Sequence, residues 1–185
     1  MLRRHVTMIP PRSTIVDVGA NVGNHTVFYG LCGRTAKVIA FEPNPVANGL
    51  LRRNVELNRL GNVDLGFSHL ALGRSTSLGR VITPRELNLG GSRIQVTGGG
   101  SIEIVPLDSL ELPECDFLKI DVEGMEIDVL AGAEETIKRC KPTIAIEVQQ
   151  NKNLDFWSWL EAARYHVVDY MRVHRPIDYV CIPKF

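Results

Sequence analysis

Carboxylates at the ends of β-rich runs, together with one glycine turn, hold most of the chemistry available to this chain. Asp17-Val18-Gly19-Ala20-Asn21-Val22-Gly23-Asn24-His25-Thr26 reads as a strand that ends in a turn and opens a helix. Free N–H groups at a helix start favour an anionic group, and Gly19 and Gly23 let the backbone approach a small molecule with no Cβ in the way. Glu42, in Phe41-Glu42-Pro43 at the end of a second β-rich run, is placed to accept hydrogen bonds from both hydroxyls of a ribose. A nucleoside ligand is therefore expected. Asp121, Glu123 and Glu147 follow two later apolar runs and, with His25, are the candidate bases. His25 has a simpler use as a helix N-terminal residue touching cofactor or solvent.

The glycines that are missing decide which nucleoside. Dinucleotide sites use G-x-G-x-x-G, whose second glycine admits a pyrophosphate. Counted from Gly19, those later places hold Asn21 and Asn24, so a pyrophosphate would meet side chains. S-adenosylmethionine carries an adenosine but no phosphate, and its carboxylate suits a helix N-terminus. It fits this loop better than NAD does.

The elements that must position these residues alternate. Thr14 to Val18, Ala36 to Phe41, Val63 to Leu70, Asp116 to Asp121 and Thr143 to Val148 read as strands. Between them, helical spacing marks one helix through Val27, Phe28 and Leu31 and another from Pro45 with Val46, Leu50, Leu51 and Val55 on one side. A third carries Ile127, Leu130, Ala133 and Ile137, and a fourth Phe156, Leu160 and Ala163. Tyr165 to Met171 and Ile177 to Ile182, joined through Pro176, are too close for a parallel crossover and pair antiparallel. Ser92 to Val96 and Ile102 to Val105 alternate around Gly98-Gly99-Gly100 as an antiparallel hairpin or paired β segments, with 84–106 read as a β-hairpin or lid insertion. The expected fold is α/β, a Rossmann-like doubly wound sheet, mostly parallel, with a C-terminal antiparallel hairpin. Residues 1–185 form a single domain with 1–13 a short N-terminal extension.

In such sheets ligands lie outside the carboxyl ends of the strands. That rim holds Asp17, Glu42, His69 to Ala71, Asp121 with Glu123, and Glu147, a set suited to hydroxyls, amines, a sulfonium or a metal. Two carboxylates from separate strands, Asp121 and Glu147, are a thin metal signature, and no metal is assigned. Lys119 shares a strand face with Asp121 and needs a counter-charge, from Asp17 or Glu147, so a structural ion pair is expected.

Composition narrows the partners. Lys and Arg number 21, matched by 21 Asp and Glu, so no global field recruits nucleic acid or an anionic membrane. A small-molecule acceptor is expected, and nucleic acid is disfavoured. No apolar run approaches the roughly 18 residues of a spanning helix, and the first thirteen residues lack a signal-type apolar core. A cytoplasmic, soluble protein is the expectation. Cys32, Cys115, Cys140 and Cys181 are widely separated and read as reduced structural thiols.

The motifs DVGANVGNHT, FEPNP, NLGGS, Leu107-Asp108-Ser109-Leu110, FLKIDVEGME with VLAGA, and PTIAIE resemble the FkbM family of S-adenosylmethionine-dependent methyltransferases from about Thr14 onward. KIDVEGME is the most specific of them. The resemblance implies a class I methyltransferase fold, seven strands with the last antiparallel, and methyl transfer usually to a hydroxyl oxygen. It implies that Asp17, Gly19, Asn21 and Gly23, with Ala20 and Thr26 of the same loop, hold the methionine end of S-adenosylmethionine. Glu42 with Pro43 would hold the ribose, and Asn44, His69, Leu70 and Ala71 would border the adenine. Asp121 and Glu123 would lie near the methyl group and acceptor, with Asp121 also touching the cofactor. The alternatives are an N-methyltransferase, a non-catalytic cofactor-binding protein of the same fold and, more distantly, an NAD-dependent oxidoreductase. Sugars, lipids, polyketides and peptides all remain open as acceptors. The short N-terminal segment leaves room for a bulky acceptor or for a second subunit, so a homo-oligomer is among the expectations.

Overall fold

A computed structural model describes residues 2–83, 91–172 and 176–184. Its strands are β1 Ser13–Val18, β2 Thr35–Phe41, β3 Val63–Asp64, β4 Ala71–Leu72, β5 Ser77–Ile82, β6 Arg93–Val96, β7 Ile102–Val105, β8 Phe117–Ile120, β9 Thr143–Val148, β10 Tyr165–Met171 and β11 Ile177–Pro183. The helices are α1 Leu2–Met8, α2 Asn24–Leu31, α3 Pro45–Leu57, α4 Glu126–Ala131, α5 Glu134–Cys140 and α6 Asn153–Ala162.

Seven strands form the main sheet in the order β10-β11-β9-β8-β1-β2-β3. β1 and β8 lie at its centre and are buried at every position, as expected of apolar strands covered on both faces. β1, β2, β3, β8 and β9 run parallel, while β11 enters antiparallel between β9 and β10. The doubly wound sheet with a C-terminal antiparallel hairpin is thus the observed fold. The insertion of β11 between two other strands brings Asp178 into register with Glu147.

Four expectations change. The strand read over Val63 to Leu70 contributes two residues to the main sheet, because an Asp64 side chain accepting from the Gly66 N–H, and turns at Leu65 to Leu70, pull the chain away. The next two extended residues, β4, join a second sheet of order β4-β7-β5-β6. In that sheet β6 and β7 do not pair as a hairpin. Each lies antiparallel against β5, which separates them. Residues 84–90, which include Asn88, Leu89 and Gly90 of the NLGGS motif, lie outside the described residues.

The helix expected through Ile127 and Ile137 is broken into α4 and α5 at Gly132-Ala133. A Cβ at Gly132 would stand 1.9 Å from the Gly73 carbonyl, so the chain passes too close for any other residue. Asp108 then starts α5 afresh by accepting from the N–H groups of Glu135 and Thr136. α3 forms as expected, with Pro45 at its first position and Asn44 as N-cap. Its buried face differs: Ala47, Asn48, Leu51 and Val55 face inward, while Val46 and Leu50 are exposed. Leu51 and Val55 pack on Ala20 and Ala40, which joins α3 to the glycine turn.

Candidate functional site

The site is built outward from a buried cation. Lys119, one position before the end of β8, is buried; its Nζ donates to the Gly19 carbonyl at 2.8 Å and stands 3.1 Å from Asp17 Oδ1 and 3.5 Å from Asp121 Oδ2. Burial opposes its charge, but the two carboxylates outweigh that cost and hold its pKa above the ordinary lysine value. The counter-charge comes from Asp17 rather than Glu147. Lys119 therefore ties the glycine turn to the end of the central strand.

Above this ion pair the turn is tightly seated. Gly19 (φ 75°), Asn21 (φ 51°) and Gly23 (φ 91°) all adopt left-handed backbone. The N–H groups of Gly19 and Ala20 donate to the Phe41 carbonyl. A Cβ on Gly19 would fall 1.8 Å from the Asp121 carbonyl oxygen, so only glycine fits. Glu42 clamps the turn from the side: its Oε2 accepts from the Asn21 N–H and its Oε1 from the Asn44 N–H, both at 2.8 Å. Burial raises the Glu42 pKa, and these two hydrogen bonds limit the rise. Asn48 donates to the carbonyls of Glu42 and Ser68, bringing the Leu70-Ala71 segment beside β2.

Two clefts open at this rim. One is a narrow slot whose walls include Gly19, Glu42, Pro43, Asn44 and Asp121 at the ends of main-sheet strands and Leu70 and Ala71 at the start of β4. Val81 of β5, Ser92 just before β6, Ile94 of β6 and Met125 also line it. The other is a small acidic cleft formed by His5, Lys119, Ile120, Asp121, Ala145, Ile146, Glu147 and Asp178. Asp121 is the one residue common to both. A larger cleft of about 670 Å³ lies elsewhere, among Leu130, Ile137, Trp159 and Tyr165, and contains none of the motif carboxylates that sequence reasoning selected.

Carboxylates crowd the second cleft. One oxygen each of Asp121, Glu123 and Glu147 lie within 4.8 Å of one another, a spacing that a divalent cation could bridge. Gln149 donates to Glu123 and orients it. Burial, then Asp121, Asp178, Glu123 and Glu126 in turn, push the Glu147 pKa up to about 8. Burial and Asp121 push that of Asp178 to about 6. Burial likewise raises Glu123, with Asp121 and Glu126 adding to it.

The expected site residues divide accordingly. Gly19, Glu42, Pro43, Asn44, Leu70, Ala71 and Asp121 meet at the slot, while Asp121, Glu123 and Glu147 meet at the acidic cleft. Asp17 and Thr26 are fully buried, with the Thr26 hydroxyl donating to Asp17 Oδ2 at 2.7 Å, and Ala20 packs into the core beneath α3, so these three lie behind the slot and not on its walls. Each shapes the turn from below. His69 is exposed and lies off the slot, because the turn after β3 points it outward. His25 stacks with His5 and Tyr29, ring centroids 6.0 Å apart in each pair, and burial followed by the Lys119 charge lowers its pKa. Asn21 and Gly23 stay in the turn, and Asn21 Oδ1 is buried with no hydrogen-bond partner.

Sequence reasoning missed His5, Asp178, Ser92, Val81, Ile94 and Met125. His5 comes from α1, where its Nδ1 lies 2.7 Å from the Tyr29 hydroxyl and burial lowers its pKa to about 4. Asp178 carried one legible signal, its position on a strand expected to pair antiparallel, but its partner depended on strand order.

Comparison with known proteins agrees with this architecture. Residues 17–167 match the model of the methyltransferase FkbM domain. Methyltransferase sdnD of Sordaria araneosa is 30% identical over 168 residues, covering 70% of this chain and 64% of that protein. Hexuronic acid methyltransferase AglP of Haloferax volcanii is 32% identical over 128 residues, covering 66% and 50%. The chain thus spans one half to two thirds of these relatives' lengths. Among solved structures, methyltransferase FkbM from Methylobacillus flagellatus superposes with a TM-score of 0.63 at 22% identity, over 92% of this chain and 43% of that one. A precorrin-6y C5,15-methyltransferase from Geobacter metallireducens gives the same TM-score at 14% identity, over the whole of this chain and 86% of that one, a likeness of fold.

Proposed function

The chain belongs to the FkbM methyltransferase family, and from that premise we propose that it transfers a methyl group from S-adenosylmethionine to a hydroxyl oxygen of a small acceptor. The observation that carries this reading is that Asp121, at the end of the central strand, lines both clefts. Donor and acceptor held in the two clefts would meet there.

The residues present fit the cofactor. Asn21 Oδ1 is a buried acceptor lacking a donor, suited to the ammonium of the methionine end, and a buried polar atom left unpaired is costly. The bare backbone at Gly19 and the Glu42 carboxylate at the slot suit the sulfur-bearing chain and the ribose. When bound, S-adenosylmethionine supplies a methyl group already made electrophilic by its sulfonium. The protein must align, exclude water and manage one proton. Glu147, with its raised pKa, accepts the acceptor's hydroxyl proton at a carboxylate oxygen. Asp121, held by Lys119, orients that hydroxyl. The crowd of carboxylates repels an acceptor whose own carboxylate would enter the cleft, which favours a neutral hydroxyl-bearing molecule such as a sugar or a lipid-type alcohol.

The 4.8 Å grouping of Asp121, Glu123 and Glu147 favours one second reading, in which a divalent cation orients the acceptor oxygen. Labelled methyl transfer into a metabolite extract finds the acceptor, and two further measurements separate the readings. Without a metal, activity survives chelation, and Asp121→Asn cuts turnover while cofactor affinity stays nearly unchanged. If chelator abolishes activity and Mg²⁺ restores it, the metal reading replaces the first. Normal turnover by Asp121→Asn removes both.

A further inference from the structure

We propose that Ser92, immediately before β6 of the second sheet, is a cofactor-binding residue that contacts the polar edge of the adenine, with Val81 and Ile94 as apolar side chains facing the base. This rests on the cofactor reading above and extends it to a sheet outside the seven-stranded core. Three observations lead there.

The slot is lined mostly by apolar side chains, among them Leu70, Ala71, Leu72, Val81, Ile94 and Met125. Three of its polar residues are joined by hydrogen bonds: Glu42 Oε1 accepts from the Asn44 N–H, and Asn44 Nδ2 donates to Ser92 Oγ. A flat heteroaromatic ring joined to a ribose has that same division: two apolar faces, a polar edge and a diol at one side.

The hydrogen bonds of these residues continue from one sheet to the other. Asn44 Oδ1 is committed to the Val46 N–H at the start of α3, which fixes the amide and aims Nδ2 at Ser92 Oγ, 3.2 Å away. Ser92 Oγ is also 3.1 Å from Thr83 Oγ1. Both contacts are long for their types, so exchanging one for a ligand atom costs little. A serine hydroxyl has one donor and two acceptor sites, enough to keep Asn44 and still meet a base.

The slot is also tight. It encloses about 50 Å³, well under the roughly 300 Å³ at the small end of ligand pockets. A base enters only as the lining side chains part, and Met125, unbranched and flexible, is suited to that movement. A base that enters the slot would lie against Val81, Ser92 and Ile94, which line it.

Calorimetry with S-adenosylhomocysteine tests this on wild type, Ser92→Ala, Ser92→Thr and Glu42→Ala. Ser92→Ala should bind about 3- to 10-fold more weakly, the weight of one neutral hydrogen bond, with an unchanged melting temperature in the absence of ligand. Ser92→Thr keeps the hydroxyl and should recover most of the affinity, which a purely structural role would not produce. Equal loss in both variants, or no loss in Ser92→Ala while Glu42→Ala binds weakly, overturns the assignment and leaves the cofactor reading standing. Failure of the wild type to bind overturns both.

Discussion

At the residue scale, the side chains that matter are distinguished by what already holds them. Glu42 accepts two backbone N–H groups and still faces the slot, so it both clamps the turn and is free to meet a diol. Glu42→Ala should weaken S-adenosylhomocysteine binding about 10- to 100-fold or more, since hydrogen bonds to a charged group contribute roughly 1.5–3 kcal/mol each. Calorimetry on the folded variant checks this, and unchanged affinity removes Glu42 from the site. Glu147 makes a prediction about pH. Its folded pKa of about 8 lies above the ordinary value of 4.5, so the folded state binds the proton more tightly than the unfolded chain does. The resulting stability is complete below about pH 4.5 and is lost as pH rises through about 8. Because the group is only part-buried, solvent screening reduces the size of the effect. In buffer with chelator, the melting temperature of wild type should fall more between pH 5 and pH 8 than that of Glu147→Gln. Parallel curves would mean that Glu147 carries no such shift.

At the scale of elements, the glycine turn is held against β8 from two directions. Lys119 pulls the Gly19 carbonyl inward, and the Asp121 carbonyl leaves no room for a Cβ at that position. Gly19→Ala therefore has to displace the turn, β8 or both, and its positive φ adds strain for any L side chain. It should cost more than about 1 kcal/mol of stability, and even where the variant folds it should lose measurable cofactor binding. Denaturant unfolding paired with calorimetry reads both effects. Gly49 is a useful control, because a Cβ there meets nothing within 4 Å, and Gly49→Ala should leave affinity intact.

At the scale of the whole molecule, ligand choice is a question of linkage. A ligand that binds only the folded chain stabilises it by about 2.7 kcal/mol at 100 times its dissociation constant. S-adenosylmethionine or its demethylated product should raise the melting temperature accordingly, and NAD should not, because Asn21 and Asn24 stand where a pyrophosphate needs bare backbone. Equal shifts with NAD would sink the cofactor assignment. Among the described residues no helix is long and apolar enough to cross a membrane.

The local pattern of residues was enough to determine the alternation of strands and helices, the glycine turn and the carboxylates at the strand ends. β-branched runs, glycine positions and caps act over a few residues, and their physics is contained in the sequence nearby. The same pattern could not separate a residue that faces a ligand from one that supports the turn beneath it. Asp17, Ala20 and Thr26 share a motif with Gly19 and Asn21, yet the ion pair with Lys119, more than a hundred positions away, and the packing of α3 bury them. Nor could it place Asp178 opposite Glu147 or Ser92 against Asn44. Those meetings arise from the insertion of β11 between two strands and from the folding of a second sheet over the first, and both depend on long-range pairing that no local periodicity encodes.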